Sequence, residues 1–471
     1  MRDQIRRTIG AETTVAFKED VQNCIETLSE HKTQYVILYF TDLLGNFRGR
    51  TIPAAEMEKA LFYGVGFDGS SIHGISPIER SDMVMQPDPA TLTQLPHNIY
   101  DHKVATTICK IKWPNGNLHV GDSRYMLQEY THKLEKSGYI PTAAAELEFY
   151  LVKTQNNIVE PAENHINENP RYFDILPGRD LTEQYRMDLC DALSEIGMKI
   201  ERQHHEAGSA QNEITFKYAN PTATADNIIK YKYMSKAIAH KKYGWTATYM
   251  PKPWKNKAGN GMHIHVSLFS EESNLFHDED GYAQISQTCH YFIGGLLTHA
   301  KAIAAIVAPT VNSYKRLSPG YEAPVYLAWS KSNRSALIRI PENFQGEENE
   351  TRIEFRCPDP LCNPYLAYLV LLEAGMDGIR RKIEPGDPLE ANAYHLTEAK
   401  RRKLSIDKLP TSLKEALDEW NNDDICIKAL GKENAQTYTE LKTKEWKEYE
   451  AHMPSDTTEI TNWEIEKYLF A

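Results

Sequence analysis

Residues 1–31 are charged and amphipathic, and Val15, Phe17, Val21 and Ile25 within them fall at helical spacing. The apolar run 35–40 reads as a strand, Leu44-Gly45-Asn46 as a turn, and a second short strand follows. Residues 54–63 predict a helix. Residues 64–100 are rich in Gly, Ser, Pro and Asp with little periodicity, and read as loop. Alternation resumes over 103–113 and ends in the turn Pro114-Asn115-Gly116-Asn117. Beyond Asp122 the character changes. A helix is expected over 123–137, after which strand-like and helical stretches alternate irregularly to the end. Asn363-Pro364 reads as an N-cap followed by proline at the first helical position, opening a buried apolar helix. The helical stretch 433–453 is strongly polar. The terminal WEIEKYLFA is apolar again, unusual for a free tail and suggestive of a partner.

This pattern divides the chain into a helical extension (1–32), a first domain (33–119) and a large second domain (120–471). At roughly 150 residues per domain, 471 residues suggest about three units, yet no linker or repeat splits the second. The net charge of −12 argues against nucleic-acid or anionic-membrane binding, which needs a basic face. No apolar run reaches roughly 18 residues, so no spanning helix is expected, and the N-terminus lacks the apolar core of a secretory leader. The seven cysteines form no CxxC pair, so a reducing, cytoplasmic compartment is expected.

The candidate chemistry is acidic. Gly64-Val65-Gly66-Phe67-Asp68-Gly69 matches a dinucleotide fingerprint, but a predicted helix precedes it and none follows, so that reading fails. Glu146 and Glu148 are two apart on a strand-like segment and share one face, where their mutual repulsion would be relieved by a cation. Glu206 and Glu213 flank a small-residue loop. His263, His265 and Ser267 alternate with Met262, Ile264 and Val266, and Arg352, Glu354 and Arg356 share another face. The carboxylates and His263 suit Mg²⁺ or Mn²⁺ more than structural zinc. Arginines 316, 334, 339, 352 and 356 suit anions, and metals with arginines describe a phosphoryl-transfer site.

At these residues the chain resembles glutamine synthetase of type I, from about residue 33 to the C-terminus. The blocks are FDGSSIHG (67–74), ELEF (146–149), HHE and QNE (204–213), GNGMHIH (259–265), NSYKRLSPGYEAP (312–324), NRSALIRIP (333–341) and RIEFRCPDP with NPYLAY (352–368). The resemblance implies an α+β fold: an N-terminal β-grasp domain, then a catalytic domain with an antiparallel sheet flanked by helices. It implies ATP-dependent ligation of ammonia to L-glutamate, with at least two Mg²⁺ or Mn²⁺ ions per site. It also implies a dodecamer of two hexameric rings, with active sites shared between neighbouring subunits.

Carried over by motif, Glu148, Glu206 and Glu213 hold the first metal, and Glu146, His263 and Glu354 the second. Glutamate falls to Gly259, Arg316, Arg334, Arg356 and Glu148. ATP falls to Glu201, Tyr218, His265, Ser267, Arg339 and Arg352. Asp68 takes a proton from ammonium, with Ser71, Tyr172 and Glu206 around the cation, and Glu322 sits on a flap. The chain departs from the family pattern at Ala258 (usually Asn), Ala210 (usually Gly), Ser332 (usually Arg) and Pro77. Tyr394 matches the position of a modified tyrosine, but the accompanying insertion is missing, so it reads as an unmodified surface or packing residue. A γ-glutamyl ligase using an amine is the competing enzyme reading. A non-catalytic relative would have lost metal ligands, and all six positions are filled.

Overall fold

The computed structural model describes residues 15–97, 99–155, 158–163, 173–319, 323–343 and 348–471. By Cα proximity the chain forms two compact units, one of residues 1–126 with 195–197, the other of 127–194 and 198–471.

In the first unit the helix Val15–Glu30 buries Val21, Cys24 and Leu28 in a core with Val36, Leu38, Phe40, Met83 and Met85. Strands β1 (Tyr35–Thr41), β2 (Phe47–Pro53), β3 (Val65–Asp68), β4 (Asp82–Pro87), β5 (Thr93–Gln94) and β6 (Val104–Lys112) form one sheet. Its order is β2-β1-β6-β4-β3, with β5 also on β6, and only the β1–β6 pair is parallel. The segment read as loop, 64–100, therefore holds three strands. They are two to six residues long, too short to declare a period, and β4 is held by pairing with β6, which lies outside the segment.

In the second unit, β7 (Ile140–Gln155), β8 (Ile158–Pro161), β9 (Ile200–His205), β10 (Gln211–Phe216), β11 (Thr246–Thr248), β12 (Met262–Phe269), β13 (Trp329–Lys331), β14 (Ile338–Ile340) and β15 (Ile353–Phe355) make a nine-stranded sheet. Its order is β13-β14-β15-β12-β7-β10-β9, with β8 and β11 on β7. The sheet is antiparallel as expected except for β13–β14, which is parallel. Helix Pro221–Ile238 packs on β7 and on helix Pro364–Arg381, which packs in turn on Gln287–Val307. Gln287–Val307 is the one described helix long and apolar enough to cross a membrane. It is largely buried, as a core helix is. Asn363 caps Pro364–Arg381 by accepting from the amides of Tyr365 and Leu366, as its sequence predicts.

The apolar C-terminus folds back on its own unit: Leu469 packs with Tyr150, Val152 and Trp254, while Phe470 stays exposed.

Candidate active site

Strand alternation and antiparallel register together place the site. Directly opposed residues of two antiparallel strands project to the same face. Glu146 opposes His263 and Thr215; Glu148 opposes Glu213, which opposes His204; His265 opposes Glu354, which opposes Arg339. All these side chains stand on one face. The other face carries Leu147, Ile214, Ile264, Ile353, Phe355 and Ile338, all fully buried.

Two groups of metal-ligating atoms converge on the polar face. Glu146, His263 and Glu354 offer ligand atoms within 4.8 Å of one another, and so do His204, Glu206 and Glu213. His263 Nδ1 lies 3.4 Å from Glu146 and 3.6 Å from Glu354. His204 lies 3.2 Å from Glu213 and 3.5 Å from Glu206. Glu148 is adjacent, accepting from the Gly261 amide at 2.8 Å, with His263 Nε2 at 4.0 Å. His204 is absent from the sequence-derived ligand set. The signal was available, since it stands two before Glu206 on an alternating segment.

The electrostatics of the two groups differ. Burial works against ionising Glu354, but Arg356 overrides it and holds the carboxyl at about 2. Arg339 adds an ion pair at 2.5 Å. Burial opposes Glu146 too, and His265 and His263 hold it well below the ordinary range. By contrast, burial raises Glu148 above its ordinary value despite Arg316. It raises Glu213 likewise, with repulsion from Glu146 and Glu148 adding to it. Burial and Arg356 push His263 down; burial does the same to His204, but Glu213 reverses the sign and raises it.

A cavity of about 510 Å³ lies over both groups, lined by Glu146, Glu148, Glu206, Glu213, His263, Gly259, Arg316, Arg334 and Arg356. A second, of about 390 Å³, is lined by Glu201, Tyr218, His265, Ser267 and Arg352, and shares Glu146 and Arg202 with the first. Glu354 and Arg339 support the floor without lining either. Ser267 is engaged by the fold, donating to Asn274 and the Thr351 carbonyl. Arg356 is buried and paired to Glu354.

Close backbone approach shapes the first cavity. A Cβ on Gly259 would come within 2.6 Å of the Pro251 carbonyl, and one on Gly261 within 2.6 Å of the Arg316 guanidinium. Gln211 donates to the Gly259 carbonyl and to Asn260 at 3.0 Å, closing the wall. Ala210 and Ser332 have φ of 59° and 54°. Ala210 therefore accepts a left-handed backbone costing about 1–2 kcal/mol relative to glycine. Tyr394 is half-buried and donates to the Ala323 carbonyl at 2.8 Å, a packing role.

Asp68 and Ser71 lie in the first unit. Asp68 ends β3 and is exposed; it accepts from Ser70 N, Ser70 Oγ and Ser71 Oγ at 2.9, 2.6 and 2.5 Å. The two serine hydroxyls hold it below the ordinary range, so it is anionic at neutral pH. Tyr172 and Glu322 lie outside the described residues, as do residues 1–14 of the helical extension. A third group, His299, Asp423 and Cys426, lines neither cavity. His299 is satisfied there by Asp423 and Asp377, at 2.6 and 3.1 Å.

The donor sets fit hard divalent ions. They consist of carboxylate oxygen and imidazole nitrogen, and Glu148 and Glu213 carry the raised affinity for protons that a bound cation would relieve. Arg339 Nε and His265 Nε2 are buried without a hydrogen-bond partner among the described residues, His265 Nε2 lying 3.2 Å from the Glu146 carboxylate.

Family models described as "Glutamine synthetase, beta-Grasp domain" and "Glutamine synthetase, catalytic domain" match residues 32–114 and 120–468. Proteins named glutamine synthetase from Thermotoga maritima and Pyrococcus abyssi are 42% and 45% identical to this chain. Their alignments cover 96% and 93% of it, and 99% and 97% of the relatives. A solved structure titled as a GmaS/ADP complex superposes with a TM-score of 0.80 at 29% identity, over 95% of this chain and 99% of that one.

Proposed function

The chain belongs to the glutamine synthetase family, and we propose that it joins ammonia to the γ-carboxylate of L-glutamate, converting ATP to ADP and phosphate through a γ-glutamyl phosphate. The observation that carries this reading is the single polar sheet face, where two metal-ligand groups and several arginines meet between two adjoining cavities.

A carboxylate is a poor electrophile, so ATP must first activate it. In the reading offered here, Gly259, Arg316, Arg334 and Arg356 hold glutamate in the larger cavity. Glu201, Tyr218, His265, Ser267, Arg339 and Arg352 hold ATP in and under the smaller one. A γ-carboxylate oxygen attacks the γ-phosphorus as the bond to ADP breaks. Arg339 and Arg352 stabilise the charge that spreads over the transferring group. Ammonium, drawn by anionic Asp68 with Ser71, Tyr172 and Glu206, gives up a proton to Asp68. The free ammonia attacks the carbonyl carbon, and phosphate leaves with a second proton from the nitrogen. Glu322 belongs to the segment that excludes water from the acyl phosphate. Divalent ions, Mg²⁺ or Mn²⁺, would be held by Glu148, Glu206 and Glu213 on the glutamate and ammonium side, and by Glu146, His263 and Glu354 on the ATP side, where the ion would neutralise phosphate charge.

Asp68 belongs to one unit and every residue lining the two cavities to the other. With the family resemblance, this supports sites shared between copies in a dodecamer of two hexameric rings. Asp68→Ala and Glu354→Gln should each be inactive alone. Dissociated, mixed and reassembled, they should regain roughly a quarter of wild-type sites by random pairing. A mixture that exchanges subunits yet stays inactive would place Asp68 in its own chain's site or outside catalysis. Seven unpaired cysteines, six of them buried, support a cytoplasmic setting.

A second reading, transfer to an amine, is favoured by one observation. Ala258 lines the glutamate cavity with a methyl where the family carries an amide, and its carbonyl is held by Tyr150 at 2.9 Å. ADP release with glutamate, measured across ammonium, methylamine and putrescine, separates the two. Ammonium should give the highest kcat/KM. Preference for an amine would install the second reading, and no glutamate-dependent ADP release would remove both.

A further inference from the structure

Glu464 lies in the last helix, Asn462–Tyr468, 108 residues beyond Arg356, yet its side chain is fully buried. A carboxylate taken out of water must be paired and hydrogen-bonded, and both oxygens of this one are. Oε1 accepts from Asn312 Nδ2 at 2.9 Å. Oε2 accepts from Lys315 Nζ at 2.5 Å and from the amide and hydroxyl of Thr461 at 2.9 Å each.

The partners outside its own helix flank the glutamate end of the cleft. Asn312 and Lys315 belong to the turn and short helix that carry Arg316. Asn312, itself fully buried, also clamps Lys252: it accepts from the Lys252 amide at 2.6 Å and donates to the Lys252 carbonyl at 3.0 Å. The neighbouring Pro251 carbonyl accepts from the Asn260 amide at 2.8 Å and is the atom that Gly259 cannot approach with a side chain. One buried carboxylate thus joins the segment of Arg316 to the segment that fixes Gly259. None of these hydrogen-bond partners lines either cavity; the link to the glutamate cavity runs through Arg316, next to Lys315, and through Gly259, both of which line it.

We propose that Glu464 is a positioning residue for glutamate, acting through Asn312 and Lys315 on Arg316 and Gly259; the inference rests on the glutamine-synthesis reading. Because Gly259 sits without slack against Pro251 and Arg316, a small displacement of Asn312 reaches both substrate contacts, and binding sites tolerate little misplacement.

The test measures KM for glutamate, ATP and ammonium, kcat and thermal midpoint in wild type, Glu464→Gln and Lys315→Met. Expected is a rise of about tenfold in KM for glutamate in Glu464→Gln, with KM for ATP and ammonium within about twofold. Lys315→Met should shift the same constant by less. Equal rises in all three constants, or a lowered midpoint with unchanged KM for glutamate, would overturn the proposal by reducing Glu464 to a fold-stabilising residue. If Glu464→Gln does not fold, Lys315→Met decides; failure of both to fold also overturns it. Absence of glutamate-dependent ADP release in wild type would instead sink the reading of function.

Discussion

The two ligand groups on the sheet face the same problem, several carboxylates buried side by side, and meet it in opposite ways. At Glu354 the protein supplies permanent cations: Arg356 and Arg339 bind the carboxylate directly, and it stays ionised down to about 2. Among the described residues, no arginine makes such a pair with Glu148 or Glu213. The carboxyls hold on to protons more tightly than usual: burial outweighs Arg316, the Gly261 amide and Arg356 at Glu148, and outweighs His204 at Glu213. The first group is set before any ligand arrives. The second is undercompensated, and an incoming divalent ion would displace protons rather than arginines. Pre-compensated charge suits a support for transferring phosphate; undercompensated charge suits cation uptake.

Removing the arginine-paired carboxylate should have the largest effect. Glu354→Gln is expected to lower kcat/KM by about a thousandfold, since it loses a proposed ligand and frees Arg339 and Arg356 to draw phosphate out of line. Its stability should fall by about 3–5 kcal/mol because two largely buried arginines lose their partner. Glu354→Ala adds a cavity and is the less informative variant. Turnover near wild type in Mg²⁺ would erase the distinction between the groups.

The next effect lies in the other group. Glu213→Gln should raise the Mg²⁺ concentration needed for half-maximal activity by about ten- to a hundredfold, and this should be relieved in part by excess Mn²⁺. An unchanged metal requirement would remove Glu213 from the ligand set.

The raised carboxyls give that contrast a pH signature. Glu148 and Glu213 must be ionised to bind a metal, and His204, raised by Glu213, must give up its proton. Metal affinity should therefore rise with pH across the acidic range, by about tenfold per unit where one proton is displaced per ion, and level off once these groups are deprotonated. A metal titration between roughly pH 5 and 8 reads this directly, and a flat profile would mean that the proton-holding group is not the metal site.

The smallest effect on activity should come from the third group, which has similar residue types but lines neither cavity. His299 is raised: burial opposes this, but Asp423 and Asp377 outweigh it. Its contribution is therefore complete below the unfolded histidine value and lost as pH rises through the folded one. Asp377 and Asp423 are lowered against burial, chiefly by His299, so theirs is present above the unfolded carboxyl values and lost as pH falls through the folded ones. The stability gap between wild type and His299→Gln should be widest between roughly pH 4 and 6.5. It should be about 1–3 kcal/mol there, with kcat unchanged. Zinc-dependent activity lost in this variant would make the group a metal site after all.

The legible part of the site was its strands. Glu146 and Glu148, or His263, His265 and Ser267, announce a shared face because successive strand residues point to opposite sides, and this holds whatever the strand pairs with. The specific blocks around them also identified the family and the α+β class. His204 was missed although the same alternation exposes it. The strands within 64–100 were missed because each is too short to carry a period. The C-terminal WEIEKYLFA was read as apolar, but not as the cover over Tyr150 and the carrier of a buried Glu464.

The sequence by itself determined which residues alternate, which are acidic, and which motifs recur in order, since these depend on backbone geometry over a few residues. The tertiary structure alone decided that Glu354 stands between Arg339 and His265, that Glu213 stands between Glu148 and His204, and hence which carboxylates are neutralised and which await a cation. Strand register and burial set those neighbours. Both are properties of segments far apart in the chain, and the charge state of a buried carboxylate follows from who stands opposite it.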